Sequence, residues 1–209
     1  VAGTLGLLGG TFDPIHVGHL AVAEEAREAL GLERILFVPA GQPPHKPDRP
    51  ISAPEHRVAM VELAIADNPA FELSRVEVDR AGPSYTVDTV AALVEADPSA
   101  PPALTVIVSA ELFGDFMDWH EPERLLGLAR LAVVPRPGYP TLGRAFVAEH
   151  FPGLEDRVTF LDGPQLDLSA TEIRARAAAG RSIRYLVPQA VAAYIGDHAL
   201  YTDPQWTKH

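Results

Sequence analysis

Short apolar runs alternate with amphipathic stretches along most of the chain. Thr4 to Leu8 is apolar and of buried-strand length, Leu20 to Leu30 carries the spacing of an amphipathic helix rich in Ala and Glu, and Ile35 to Pro39 is apolar again. The pattern predicts a helix over Ala53 to Ala66, strand-like pieces at Phe71 to Leu73 and Val76 to Val78, and a helix over Val87 to Glu95. Leu104 to Val108 is a strong buried-strand run, followed by Leu131 to Pro135 and Val158 to Leu161. Strands interleaved with helices predict an α/β fold of the Rossmann-like kind: a doubly wound, mostly parallel sheet with helices on both faces and ligands at the carboxyl ends of its strands. Beyond Leu166 the pattern turns helical, with Ser169 and Glu172 spaced as a capping box before Ile173 and Pro188 placed to start another helix. The expected organisation is one domain: an α/β core over about 4–163, a small C-terminal helical subdomain over about 166–201, and a loose tail at 202–209. Ala40 to Pro54 and Asp97 to Pro102 are proline-rich and are expected to be stiff surface connections.

The first strand runs into Gly9-Gly10-Thr11-Phe12-Asp13-Pro14-Ile15-His16-Val17-Gly18-His19, a glycine-rich turn joined to two histidines three residues apart. At a strand-to-helix junction, free backbone N–H groups point outward and the helix dipole favours negative charge. Glycines there let a phosphate approach with no Cβ in the way. The same helix end disfavours imidazolium while the site is empty, whereas an arriving polyphosphate favours it. The pair is thus suited to donate hydrogen bonds to a phosphoryl oxygen. The plain alternative is a tight turn with two ordinary loop histidines. The segment has neither the Lys-Ser/Thr ending of a P-loop nor the G-x-G-x-x-G spacing of a dinucleotide fingerprint. No Cys partner or third ligand nearby makes it a metal site.

Composition narrows the picture further. A chain of 209 residues with 47% hydrophobic content can bury a full core. There is no cysteine, so neither a disulfide framework nor a thiol nucleophile is available. No apolar run reaches membrane-span length and the N-terminus lacks a signal-peptide pattern, so a soluble cytoplasmic protein without a membrane partner is expected. The net charge of −11 argues against a general nucleic-acid-binding surface. Phosphate ligands must therefore meet a local cluster of cations. Either a monomer or a homo-oligomer is compatible with this composition.

The opening motif resembles the G-G-T-F-D-P-x-H-x-G-H signature of the nucleotidylyltransferase superfamily, whose members join a nucleoside triphosphate to a phosphorylated acceptor and release pyrophosphate. Ser169-Ala170-Thr171-Glu172-Ile173-Arg174 resembles that superfamily's S-x-T-x-x-R signature in its expected place. Read physically, it is a hydroxyl at a helix start with an Arg fork one turn in, an anion site in its own right. The resemblance implies that His16 and His19 are catalytic, and that Gly9, Gly10, Thr11, Phe12, Gly18, Ser169, Thr171 and Arg174 join them in holding ATP. The Pro-Pro-His-Lys segment ending at Lys46 and the Arg136-Pro137-Gly138-Tyr139 segment resemble the nicotinate-nucleotide adenylyltransferase branch. On that resemblance, Lys46 and Arg136 bind the acceptor, with Arg136 holding a phosphate or shaping the pocket. Backbone donors at Tyr85 and Thr86 receive the nicotinate carboxylate. Trp119, spaced from Phe116 as in the branch's F-x-x-W, offers a ring face to a flat cationic pyridinium.

One segment departs from the family. Where G-x-D usually follows the central strand, this chain has Ser109-Ala110-Glu111. Serine adds a Cβ where close backbone approach is expected, and Glu is one methylene longer than the Asp that addresses a ribose hydroxyl. The implied activity is AMP transfer from ATP to nicotinate mononucleotide by direct in-line attack, giving deamido-NAD and pyrophosphate. Mg²⁺ is expected to be carried on the ATP phosphates, with no direct protein ligand. Transfer to nicotinamide mononucleotide or another phosphorylated acceptor stays open on the sequence, as does a nucleotide-sensing module without catalysis.

Overall fold

Residue parity along each strand decides which face of the sheet a side chain covers. In the computed structural model, which describes residues 4–43, 50–96, 103–140 and 142–207, six strands form one sheet. They are β1 (Thr4–Gly10), β2 (Arg34–Pro39), β3 (Phe71–Leu73), β4 (Ala103–Ser109), β5 (Arg130–Val134) and β6 (Val158–Phe160). The order is β3-β2-β1-β4-β5-β6, and every pairing is parallel. Leu8, Ile35, Phe37 and Ile107 point to one face, while Leu7, Leu36, Val38, Val106 and Val108 point to the other. The largely apolar runs follow from this, because both faces are covered and both parities meet packed helices.

The first face is covered by α1 (Val17–Leu30), α2 (Pro54–Ile65), α7 (Ala170–Ala178) and α8 (Gln189–Asp197) through residues such as Ala23, Met60, Ile173 and Val191. The second is covered by α3 (Thr86–Glu95), α4 (Ala110–Gly114), α5 (Pro122–Leu128) and α6 (Arg144–His150) through Val90, Phe113, Leu125 and Val147. Strand order reverses between β1 and β4, so the two crossovers leave in opposite directions and a crevice opens beyond the carboxyl ends of these strands. The glycine-rich turn lies at that point.

Several expectations need correction. Val76 to Val78 is a turn rather than a strand: the Asp79 N–H closes onto the Arg75 carbonyl at 2.9 Å, and the Glu77 side chain is buried. The helix expected from Leu20 begins one turn earlier, at Val17, where polar His19 hides the apolar spacing. Ser169 stands at the start of α7, but its side chain makes no capping hydrogen bond, so the capping box is not formed. The supposed loose tail continues as a 3₁₀ turn, Pro204–Thr207, whose Trp206 packs edge-to-face on Tyr201. The linker 97–102 lies outside the described residues. Among the described residues, no helix is long and apolar enough to cross a membrane.

Candidate active site

The turn after β1 is held from below by a buried cation. Arg57 of α2 is 1% exposed; its Nη1 donates to the Thr11 carbonyl at 2.9 Å and its Nε to the Ser52 carbonyl at 3.1 Å. Asp13, also buried, accepts from the Ser52 N–H at 3.0 Å and from the Tyr201 hydroxyl at 2.7 Å. Burial, with Asp13 adding to it, pushes the Tyr201 phenol well above its ordinary range, so it remains a donor. Phe12 adopts a left-handed backbone with φ of 50°, and its ring packs beneath Gly10, where a Cβ would lie 3.1 Å from it. Gly9 differs: a Cβ there would meet nothing nearer than 3.9 Å, although Gly9 lines the crevice. Packing does not require that glycine, so its effect is to keep the crevice floor bare.

His16 is the N-cap residue of α1 and His19 stands one turn in. Their rings stack with centroids 3.6 Å apart, and Phe12 meets His19 edge-on at 5.1 Å. The His16 N–H donates to Nδ1 of His19 at 3.1 Å, so a neutral His19 carries its proton on Nε2. Nδ1 of His16 is buried, with no hydrogen-bond partner among the described residues. Burial, with the Arg136 charge adding to it, lowers the His16 pKa to about 4. Both causes favour the neutral imidazole expected at this position. A Cβ on Gly18 would sit 3.1 Å from Nδ1 of His16, so a larger residue here would crowd the imidazole.

The start of α7 closes this side, with the Cβ of Leu168 3.7 Å from the point where a Gly18 Cβ would be. Arg174 donates from Nη1 to the Asp13 carbonyl at 2.6 Å and from Nη2 to the Thr171 hydroxyl at 3.3 Å. Both signature motifs thus meet, although 161 residues separate Asp13 and Arg174 in the chain. Arg136 belongs to the same side: its Nη1 donates to the Leu168 carbonyl at 3.0 Å, and it does not line the aromatic crevice.

The opposite side is a cavity of about 220 Å³ lined by Gly9, Gly10, Thr11, Tyr85, Thr86 and Trp119, together with Glu77, Ser84, Leu112 and His120. Tyr85 and Thr86 stand at the start of α3, where first-turn N–H groups lack partners within the helix. Trp119 leans on Phe116 at 5.4 Å, and His120 covers Tyr85 with ring centroids 4.3 Å apart. The Ser84 hydroxyl accepts from the N–H groups of Gly41 and Gln42, tying the loop after β2 to the entry of α3. Gly41 passes so close to the turn at Glu77 that any Cβ would clash with the Glu77 carbonyl. Lys46 lies outside the described residues.

Ser109 and Glu111 each have a defined place. Ser109 has an extended backbone, φ −76°, and its hydroxyl caps α4 by accepting from the Leu112 N–H at 3.3 Å, so this position does not require glycine. Glu111 receives the Tyr139 hydroxyl at 3.1 Å and lies 3.6 Å from Nε of Arg136. Sequence reasoning missed Arg57, Glu77, His120 and Tyr201, whose roles depend on partners far along the chain.

Residues 7–176 match the model of the Cytidylyltransferase-like family. A protein of Roseiflexus sp. strain RS-1 named "Probable nicotinate-nucleotide adenylyltransferase" is 50% identical over 197 residues, covering 94% of this chain and 97% of its own. One of the same name from Thermus thermophilus is 46% identical over 200 residues, with coverage of 94% and 98%. Among solved structures, the Plasmodium falciparum nicotinic acid mononucleotide adenylyltransferase complexed with NaAD superposes with a TM-score of 0.79 at 19% identity, covering 96% of this chain and 98% of that one. The likeness to that structure extends the shared fold across the C-terminal helices. With the paired histidines, the Arg174 helix and the parallel sheet in place, the chain belongs to the Cytidylyltransferase-like family and, within it, to the nicotinate-nucleotide adenylyltransferases.

Proposed function

We propose that the chain transfers AMP from ATP to nicotinate mononucleotide, yielding deamido-NAD and pyrophosphate. The observation that carries this reading is the meeting of two unlike half-sites at the β1/β4 crossover. One holds the stacked His16 and His19 with Arg174 beside the same turn; the other is an aromatic crevice reaching Trp119. An acceptor phosphate oxygen attacks the α-phosphorus of ATP, the bond to the bridging β-phosphate oxygen breaks, and pyrophosphate leaves with that electron pair. No side chain acts as nucleophile, so positioning and charge stabilisation supply the catalysis.

His19 donates from Nε2 to a phosphoryl oxygen, and His16 takes up a proton as phosphate charge arrives beside its buried ring. Gly9, Gly10, Thr11, Phe12 and Gly18 shape the bed of the triphosphate, while Ser169, Thr171 and Arg174 hold its outer phosphates. Arg136, next to His16 and Leu168, serves a phosphate on this side. Tyr85 and Thr86 offer backbone donors to the nicotinate carboxylate, and Trp119 stacks on the pyridinium. Glu111 is long enough to address a ribose hydroxyl once it leaves Tyr139. Mg²⁺ is proposed as a companion of the ATP phosphates, on the side where Ser169, Thr171 and Arg174 would hold the outer phosphates. Bound with those phosphates, Mg²⁺ would supply charge neutralisation for the departing pyrophosphate.

The test is pyrophosphate release with ATP, Mg²⁺ and either nicotinate or nicotinamide mononucleotide, run side by side. Release chiefly with the acid is expected. Equal or amide-favoured release would mean a pocket selective for something other than the carboxylate, and ATP binding without release on either acceptor would point to a binding module.

A further inference from the structure

Arg174 is restrained on its edges by Asp13 and Thr171, and one of its faces is covered as well. Trp206, from the 3₁₀ turn near the C-terminal end, places its ring 5.0 Å from the guanidinium carbon. Tyr201 meets that indole edge-on at 5.2 Å and donates its hydroxyl to Asp13 at 2.7 Å, while Arg174 donates to the Asp13 carbonyl at 2.6 Å. The four residues close a ring: Asp13, Arg174, Trp206, Tyr201 and back to Asp13. The turn carrying Trp206 packs on α7, the helix that presents Arg174. A planar cation on an indole face keeps its N–H groups directed outward in the ring plane, where a phosphate is recognised.

We infer that Trp206 is a positioning residue for ATP: its indole fixes the plane of Arg174 so that the guanidinium edge is already aimed when the triphosphate arrives. The inference rests on the proposed reading of Arg174 as a phosphate ligand. Holding an arginine in place before binding removes the cost of ordering a long side chain, and this is realised equally in the ground and transition states. Loss of the indole should therefore appear in the KM for ATP and leave kcat nearly intact.

The experiment compares Trp206→Ala, Trp206→Leu and Trp206→Phe with Arg174→Ala in steady-state pyrophosphate release, together with thermal unfolding of each. Trp206→Ala and Trp206→Leu are expected to raise the KM for ATP about 5- to 10-fold, the range of a partly desolvated cation–π contact. The KM for nicotinate mononucleotide should stay unchanged, and Trp206→Phe should recover most of the loss. Leu preserves apolar packing without a π face, so a structural role alone predicts that Trp206→Leu behaves as wild type, which would overturn the inference. It would also be overturned if both KM values rose together or the KM for ATP fell. If Arg174→Ala leaves the KM for ATP untouched, the phosphate reading of Arg174 itself is wrong; a raised KM there with a normal one in Trp206→Leu removes only the role of Trp206.

Discussion

Around α1 and α7 the walls of the site are tied together by short polar contacts, whereas around α3 and Trp119 they are made largely of ring faces and aliphatic side chains. Thr11, Asp13, Arg57, Arg174 and Tyr201 are linked at 2.6 to 2.9 Å across segments remote in sequence. Asp13 and Arg57 are almost wholly buried, which is costly unless every polar atom they meet is satisfied. The aromatic side buries one carboxylate, Glu77, and keeps an open cavity between Tyr85, Trp119 and His120. On the proposed reading, a reacting phosphate tolerates little displacement, which the short polar contacts on its side would limit. Acceptor choice needs a surface of the right shape and π character, which the stacked rings would provide.

This contrast can be broken most severely at Arg57. Replacing it with Leu leaves the Thr11 and Ser52 carbonyls without their charged donor and should cost about 4 kcal/mol, two charge-assisted hydrogen bonds' worth, in urea unfolding. A loss below about 1 kcal/mol would show that the turn is held by packing alone.

Next in size is the acid response of His16. Its folded pKa is about 4, below the ordinary 6.5, so as pH falls from 6.5 towards 4 the unfolded chain binds a proton that the native chain does not. Native stability should therefore decline across that window by about 3 kcal/mol, with no contribution from His16 above it. In His16→Gln this part of the slope should vanish, which equilibrium unfolding at several pH values will show.

His19→Ala should lower turnover by at least ~10²-fold, as expected for losing a transition-state donor, without a matching loss of stability. Near-normal turnover would remove His19 from the chemistry. The smallest effect sharpens the other side: Trp119→Ala should raise the KM for nicotinate mononucleotide about 10-fold and leave that for ATP alone. A rise in both would mean that the two halves are not separable.

The glycine-rich turn, the paired histidines and the Ser169 to Arg174 segment were legible in the sequence because each is contiguous and carries its chemistry within one turn of backbone. The strands were legible because two-sided burial leaves largely apolar runs. Arg57 was not, since on its helix it looks like any polar position; its partner Thr11 is 46 residues away. Glu77 sat in an apolar-polar-apolar alternation that reads as a strand. Its carboxyl instead accepts from the Thr89 hydroxyl at 2.7 Å, and burial raises its pKa against that bond. The terminal residues looked like a tail because Trp206 is alone among polar neighbours in the sequence, and the surfaces it covers, Arg174 and Tyr201, come from outside its own turn. The departure at Ser109 and Glu111 was visible as a difference, but its accommodation required the α4 cap and Tyr139 to be seen.

The Asp13–Tyr201 contact spans 188 positions, whereas the last strand of the sheet ends at Phe160. During synthesis the glycine-rich turn therefore emerges early and waits, through completion of the whole sheet, for the arginine and the phenol that finish its surroundings. Chains interrupted after the sheet but before Tyr201 keep all six strands and lack groups that brace the proposed phosphate bed. Premature termination or clipping in the last helices should thus yield molecules that are silent toward nucleotide, rather than a population of half-active enzyme competing for substrate.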